Sequence, residues 1–216
     1  MPRPALFTFD IFGTVIDWRR GLEEALRAEG VAVGPGDFDR IVDRQAVLER
    51  DFRPYREITA QSLVEEVGLA PEAADRIGAA VGTWPLYPDS REGLRRLQAV
   101  APCVAMTNSD RAHGEQAQEQ LGFRLASWIT AEELQLYKPD ARFWPAVAAR
   151  LGVPPSPAWW HVSAYADYDL DVARSLGLTT VYVERPHARP GPATHAVADL
   201  GELADLVEQA EPPSRP

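Results

Sequence analysis

The sequence predicts an α/β fold, with a mostly parallel, Rossmann-like sheet flanked by helices and a helical segment inserted after the first strand. Three features lead to this reading. Short apolar or β-rich runs recur along the chain, helix-like stretches alternate with them, and residues 17–87 break the alternation. Strands alternating with amphipathic helices imply right-handed crossovers and a parallel sheet, in which ligands bind at the carboxyl ends of the strands.

The strand candidates are ALFTFD (5–10), CVAMT (103–107), SWIT (127–130), WWHVSA (159–164) and TTVYVER (179–185). Helical spacing marks SREGLRRLQAV (90–100), HGEQAQEQLG (113–122), DARFWPAVAARLG (140–152) and DLDVARSLG (169–177), and several of these end on glycine, as a left-handed helix terminus favours. Between the first strand and the rest lie LEEALRAEG, DFDRIVDRQAVLERDF, REITAQSLVEEVG and PEAADRIGAAVG, four helix-like segments with no strand among them. The organisation expected is therefore a core built from residues 1–16 and 88–216, with a helical cap over 17–87 that closes on the sheet edge and excludes water.

Composition narrows the function. With 216 residues, 45% hydrophobic and 25% charged, the chain can bury a sizeable core. The net charge of −10 and the lack of any Lys/Arg run argue against nucleic-acid and anionic-membrane partners. No stretch of about 18 apolar residues occurs, and MPRPALFTFD has no secretory character, so a soluble cytoplasmic protein is expected. Cys103, the single cysteine, sits in an apolar run and reads as core. The tail EPPSRP reads as a frayed end. His113, His161, His187 and His195 lack metal-ligand spacing, and His161 reads as a satisfied core histidine. Trp128, Trp159 and Trp160 read as packing residues.

The polar residues at strand ends carry the chemistry. Asp10 and Thr14 follow the first strand, and Thr107, Asn108 and Ser109 follow the second. Lys138, in YKPD, comes after the third, while Ser163, Tyr165, Asp167 and Asp169 come after the fourth. In a parallel sheet all four groups converge on one rim. Taken singly, each has a plainer explanation: Asp10 as a turn residue, Lys138 as a solvated loop residue, Thr107–Ser109 and Asp169 as helix caps.

The order FDIFGT, then T-N-S, then YKPD, then an acidic motif resembles the haloacid dehalogenase superfamily of hydrolases, over the whole chain. The resemblance implies that Asp10 is a nucleophile forming a covalent ester that water then hydrolyses. Lys138 would keep Asp10 ionised, Thr107 and Asn108 would donate hydrogen bonds to an oxygen gaining charge, and Thr14 would fix the Asp10 loop. Asp169 would orient Lys138 or help activate water.

Within the superfamily, phosphatases carry a second Asp two residues after the nucleophile. Phe12 stands there, and a phenyl ring cannot protonate a leaving alcohol, whereas a halide needs no proton. The chain thus resembles the 2-haloacid dehalogenase branch, which implies hydrolysis of short 2-haloalkanoic acids, with a small anionic substrate and a halide as partners, no required metal and a homodimer. The resemblance also implies a cap arginine for the substrate carboxylate, Arg44 in preference to Arg40, Arg53 or Arg56. Phe12 and Trp144 would wall an apolar pocket, with Ser163 and Tyr165 beside the substrate.

This chain departs from that branch in having Phe12 where Tyr is usual and Trp144 where a Tyr is usual. Its fourth motif reads Ser163, Ala164, Tyr165, without the water-positioning Asn and with Asp169 one place late. Two alternatives stay open: a magnesium phosphatase, with Asp10 and Asp169 as oxygen ligands and Asp167 as a further candidate, and a binding module without catalysis.

Overall fold

The computed structural model describes residues 3–209, so the EPPSRP tail lies outside the described residues. The chain runs β1 Leu6–Phe9, α1 Trp18–Ala28, α2 Asp37–Leu48, α3 Tyr55–Val67, α4 Pro71–Ala79, a 3-10 turn Val81–Thr83, α5 Ser90–Val100 and β2 Cys103–Thr107. It continues through α6 Arg111–Leu121, β3 Ser127–Thr130, α7 Ala131–Leu134, α8 Phe143–Leu151, β4 Trp159–Ser163, a π-helical turn Ala166–Leu170, α9 Asp171–Ser175, β5 Thr179–Val183, β6 His195–Val197 and α10 Leu200–Glu208.

All neighbouring strands are parallel, in the order β3-β2-β1-β4-β5-β6. The first strand lies at the centre. The chain leaves it toward β2 on one side and later returns to β4 on the other, and such a change of direction opens a crevice at the carboxyl ends. Its four residues, Leu-Phe-Thr-Phe, are buried on both faces, as a strand covered by helices on each side requires. One apolar cluster, with Phe7, Phe9, Leu94, Trp160 and Leu203, continues into Leu22, Phe38, Ile58 and Ile77 of α1–α4. A second, with Val104, Ile129, Phe143, Trp144 and Trp159, fills the opposite face. Cys103 is buried in the first, where burial pushes its thiol up to about 12.

The four helices expected between the first two strands all form, and polar bonds dock them on the sheet rim. The Asp110 carboxylate accepts from Tyr55 N (2.7 Å) and Arg56 N (2.9 Å), satisfying donors that the start of α3 leaves free. His113 Nδ1 accepts from Asp110 N at 3.3 Å, and its Nε2 lies 2.8 Å from Gly78 O at the end of α4. Tyr137 OH donates to Arg53 O at 2.8 Å.

Three elements go beyond the sequence reading, one of them the four-residue helix α7 directly after β3. The edge strand β6 has three residues, too short for periodicity to register. Helix α10 is closed at its start by Asp199, whose carboxylate accepts from Glu202 N (2.8 Å), and by Glu202 Oε2, which accepts from Ala198 N (2.6 Å).

Candidate active site

Register places the first acid. Phe9 pairs with Ala105 and with Val162, so Asp10 sits one residue past the end of the central strand, where its N–H donates to Val162 O at 3.0 Å. The chain then turns sharply at Gly13, and the Thr14 hydroxyl donates to Asp10 Oδ2 (2.7 Å) while accepting from Ala164 N (2.9 Å). One hydroxyl thereby ties the loop after β1 to the end of β4.

Lys138 closes the other side. Its Nζ donates to Asp10 Oδ1 at 3.1 Å and to Asp169 Oδ2 at 2.8 Å, and the side chain is fully buried. Asn108 holds it from behind: its Oδ1 accepts from Lys138 N and its Nδ2 donates to Lys138 O, both at 2.8 Å. That bidentate clamp uses the Asn108 Oδ1 and one of the two hydrogens on Nδ2, and Asn108 also lines the cavity beside Asp10. Thr107 turns its hydroxyl to Ser109 Oγ, at 3.3 Å.

Asp169 reaches Lys138 although it stands one place late. The added residue is absorbed in the π-helical turn, where Leu170 N donates to Tyr165 O five residues back (3.2 Å), and a turn of this kind swallows one residue without ending the helix. Behind it lies a buried polar ladder. Trp159 Nε1 donates to Thr8 Oγ1 (2.8 Å), which leaves the Thr8 proton for His161 Nδ1 (2.8 Å). His161 Nε2 then carries a proton and lies 3.0 Å from Asp169 Oδ1, close in distance but bent in angle. Thr8 and His161 are register partners on β1 and β4, so they share one face of the sheet.

The charges shift one another. Desolvation alone would lower the Lys138 ammonium, yet Asp10 and Asp169 outweigh it and hold Lys138 above its usual range. Desolvation would raise Asp169, but Lys138 and His161 hold it well below the ordinary carboxylate value. At Asp10 burial wins over the pull of Lys138, aided by repulsion from Asp169, and the carboxyl is raised.

Asp10, Thr107, Asn108 and Lys138 open on a cavity of about 430 Å3 between the sheet rim and the inserted helices, within the range of small-ligand sites. Phe12, Val42, Phe52, Leu136 and Trp18 give it an apolar wall, and Tyr55, Tyr165 and Tyr168 edge it with phenols. Several expected residues do not line it. Arg44 turns away and pairs with Glu65, because the face of α2 that meets the cavity carries Val42, Gln45, Ala46 and Glu49. Arg40 pairs with Asp37, and Arg53 donates to Gln61. Trp144 is buried in the second core cluster with its ring edge-on to His161, 4.5 Å between centroids. Ser163 is buried, and its Oγ accepts from Tyr165 N at 3.1 Å.

Sequence reasoning missed Gln45, Glu49, Arg50, Tyr55, Tyr168 and Arg189 on the cavity wall. The one signal available was helical spacing, which sets Gln45 and Glu49 on one face four residues apart. Which face turns inward depends on tertiary packing.

The same geometry tests a magnesium ion. Both oxygens of Asp10 are engaged, by Lys138 and Thr14, and Asp169 Oδ2 by Lys138; Asp169 Oδ1 faces His161 Nε2 at 3.0 Å, while Asp167 is exposed and faces Arg189 at 3.6 Å. Among the described residues no three His, Cys, Asp or Glu side chains are grouped to hold a metal. The donor set does not fit the ion.

The model of the family described as haloacid dehalogenase-like hydrolase matches residues 4–160. The chain belongs to the haloacid dehalogenase-like hydrolases. This member is 33% identical over 220 residues to (S)-2-haloacid dehalogenase 4A of Burkholderia cepacia, covering 92% of this chain and 93% of that protein. With (S)-2-haloacid dehalogenase of Pseudomonas fluorescens it shares 26% identity over 222 residues, covering 92% and 94%. A crystal structure of a dehalogenase with an intermediate complex superposes on this dehalogenase-like chain with a TM-score of 0.80 at 26% identity, covering 96% of it and 98% of the other. No helix among the described residues of this hydrolase is long and apolar enough to cross a membrane.

Proposed function

We propose that the protein is a hydrolase of carbon–halogen bonds that converts short 2-haloalkanoic acids to 2-hydroxy acids through an ester on Asp10. The observation that carries this reading is Asp10 at the cavity floor, bonded to the buried Lys138 ammonium, with Phe12 where a phosphatase needs its proton donor. An Asp10 oxygen bonds to C2 while the carbon–halogen bond breaks. The halide leaves with the bonding pair, and C2 inverts. Water then attacks the Asp10 acyl carbon, the 2-hydroxy acid departs, and one proton is released for each halide.

The residues divide this labour. Lys138 keeps Asp10 anionic in a site that would otherwise favour the neutral acid, and Thr14 and Asn108 fix those two groups. Holding the carboxylate in line with C2 supplies about 7–11 kcal/mol of the barrier as effective molarity. Asp169 is an orienting group: it is fully buried, its oxygens face Lys138 and His161, and it does not line the cavity. For the substrate carboxylate we assign Arg50 in place of Arg44. It lines the cavity and, among the described residues, has no carboxylate partner, unlike Arg142 and Arg189, which pair with Asp140 and Asp167. The inserted helices, within residues 17–87, act as the cap. We read the enzyme as cytoplasmic, as releasing free halide and as a homodimer, the last checked by light scattering. As written, the reaction uses no metal and no organic cofactor.

Two measurements test the reading. Halide release is followed over haloacetates and 2-chloropropionate with and without EDTA, and turnover insensitive to EDTA is expected. The protein is also denatured after brief exposure to 2-chloropropionate and its peptides weighed. An adduct on the peptide bearing Asp10 is expected, and the absence of both adduct and halide would sink the reading.

A further inference from the structure

Glu49 stands at the C-terminal cap of α2, on the cavity wall shared with Asp10 and Lys138, and none of the chemistry above employs it. It is half-buried, and among the described residues no hydrogen bond or ion pair reaches its carboxyl. The groups around it come from every wall: Asp10 past β1, Tyr55 of α3, Tyr137 and Lys138 ahead of α8, Tyr168 of the π-helical turn, and Asp43 and Arg50 of its own segment. Two physical effects oppose a negative charge there. The end of a helix presents unpaired carbonyls, so its dipole disfavours an anion. An aromatic, partly dry cavity also penalises charge that no partner compensates.

We propose that Glu49 makes substrate binding proton-linked: the anionic 2-haloacid binds while Glu49 is protonated, and above the titration of Glu49 each molecule bound takes up one proton. This rests on the 2-haloacid reading and adds to it. With Glu49 neutral, Arg50 on the same wall is left to meet the incoming carboxylate. With Glu49 ionised, the incoming carboxylate meets a second uncompensated anion at close range in a poorly screened space. Burial pushes Glu49 up to about 8, against the pull of Lys138. Tyr55, Tyr137 and Tyr168 are shifted upward, each chiefly by desolvation and in part by Glu49 itself, so they stay neutral through this range. Lys138 is also raised and stays charged.

The test is the pH dependence of steady-state halide release from 2-chloropropionate, with Glu49→Gln as the neutral isostere. The wild-type KM is expected to climb by up to about tenfold per pH unit above about 8 while kcat stays level. The Glu49→Gln KM is expected to stay flat from pH 6 to 10, at the low-pH wild-type value. A wild-type KM that does not move, or a climb that persists in Glu49→Gln, overturns the proposal. So does a kcat that rises through pH 8 over a flat KM, which would make Glu49 a base toward the hydrolytic water.

A second measurement does not depend on turnover. Propionate binding in weakly buffered solution should take up about one proton per site at pH 9 and none at pH 6, and equal uptake at both overturns the proposal. A protein that releases no halide at pH 7 sinks the dehalogenase reading. One that releases halide with a pH-independent KM and no proton uptake sinks this inference alone.

Discussion

Gly13 shows how narrowly single residues are specified at this rim. It sits at φ +93°, a region that side chains rarely adopt, and a Cβ there would lie 2.2 Å from the Tyr165 hydroxyl. Gly13→Ala should therefore lose nearly all activity and lower the melting temperature, with calorimetry and halide release as the readouts. His161 is as tightly placed but acts one step removed, through Asp169. His161→Phe leaves Asp169 Oδ1 without its neighbour and should cut kcat by about 10–100-fold, as changes behind a primary group do. Its KM should stay within about twofold, because His161 does not touch the cavity, and His161→Gln should recover part of kcat by restoring a donor. Equal losses in both variants, with KM raised, would mark His161 as packing alone. Asp10, Lys138 and Asp169 were legible in the sequence because short motifs at strand ends name them. His161 and Glu49 were not, since the groups they face lie on other elements and only folding brings them together.

Whole elements were more legible where their period was long enough to register. Four strands, CVAMT, SWIT and the runs from Trp159 and Thr179, begin where alternation and β-branched content place them, and the four inserted helices form as their spacing predicts. Periodicity does not carry rotation, however, and this is why Arg44 rather than Gln45 and Glu49 looked inward. A helix face is chosen by what it packs on, here the cluster joining Phe38 and Ile41 to the sheet. Docking of the insert is equally silent in the sequence, because Asp110 stands at the start of α6 while its carboxylate closes the start of α3, an element far away in the chain. Asp110→Ala frees one buried and one part-buried backbone donor and should cost about 2 kcal/mol in urea unfolding. It should also raise KM more than it lowers kcat, since the cavity wall on α2 and α3 loosens while Asp10 and Lys138 keep their bonds.

At the scale of the molecule, the site and the fold pull in opposite directions. Asp169, and Asp89 beneath its bidentate partner Arg185, have carboxyls held below their ordinary values, so each favours folding above about pH 4 and loses that contribution as the pH falls through its folded value. The sign reverses for Asp10. Its folded value lies above the ordinary 3.8, so the ionised carboxylate at neutral pH works against folding, and the native state regains stability as that group takes a proton. Lys138 stays paired with Asp169 when Asp10 is neutralised, so no buried cation is orphaned by the exchange. Asp10→Asn should accordingly abolish halide release while unfolding at a temperature no lower than wild type at pH 7. The difference between the two proteins should shrink as the pH drops through the folded Asp10 value and settle once it is below 3.8, because the wild-type carboxyl is then neutral as well. Loss at Asp169 and Asp89 is common to both proteins and cancels in that difference. An Asp10→Asn protein that melts well below wild type at pH 7 would mean that the Asp10–Lys138 bond stabilises the fold by more than burying the charge costs, and that the nucleophile is held at the rim without strain on the rest of the molecule.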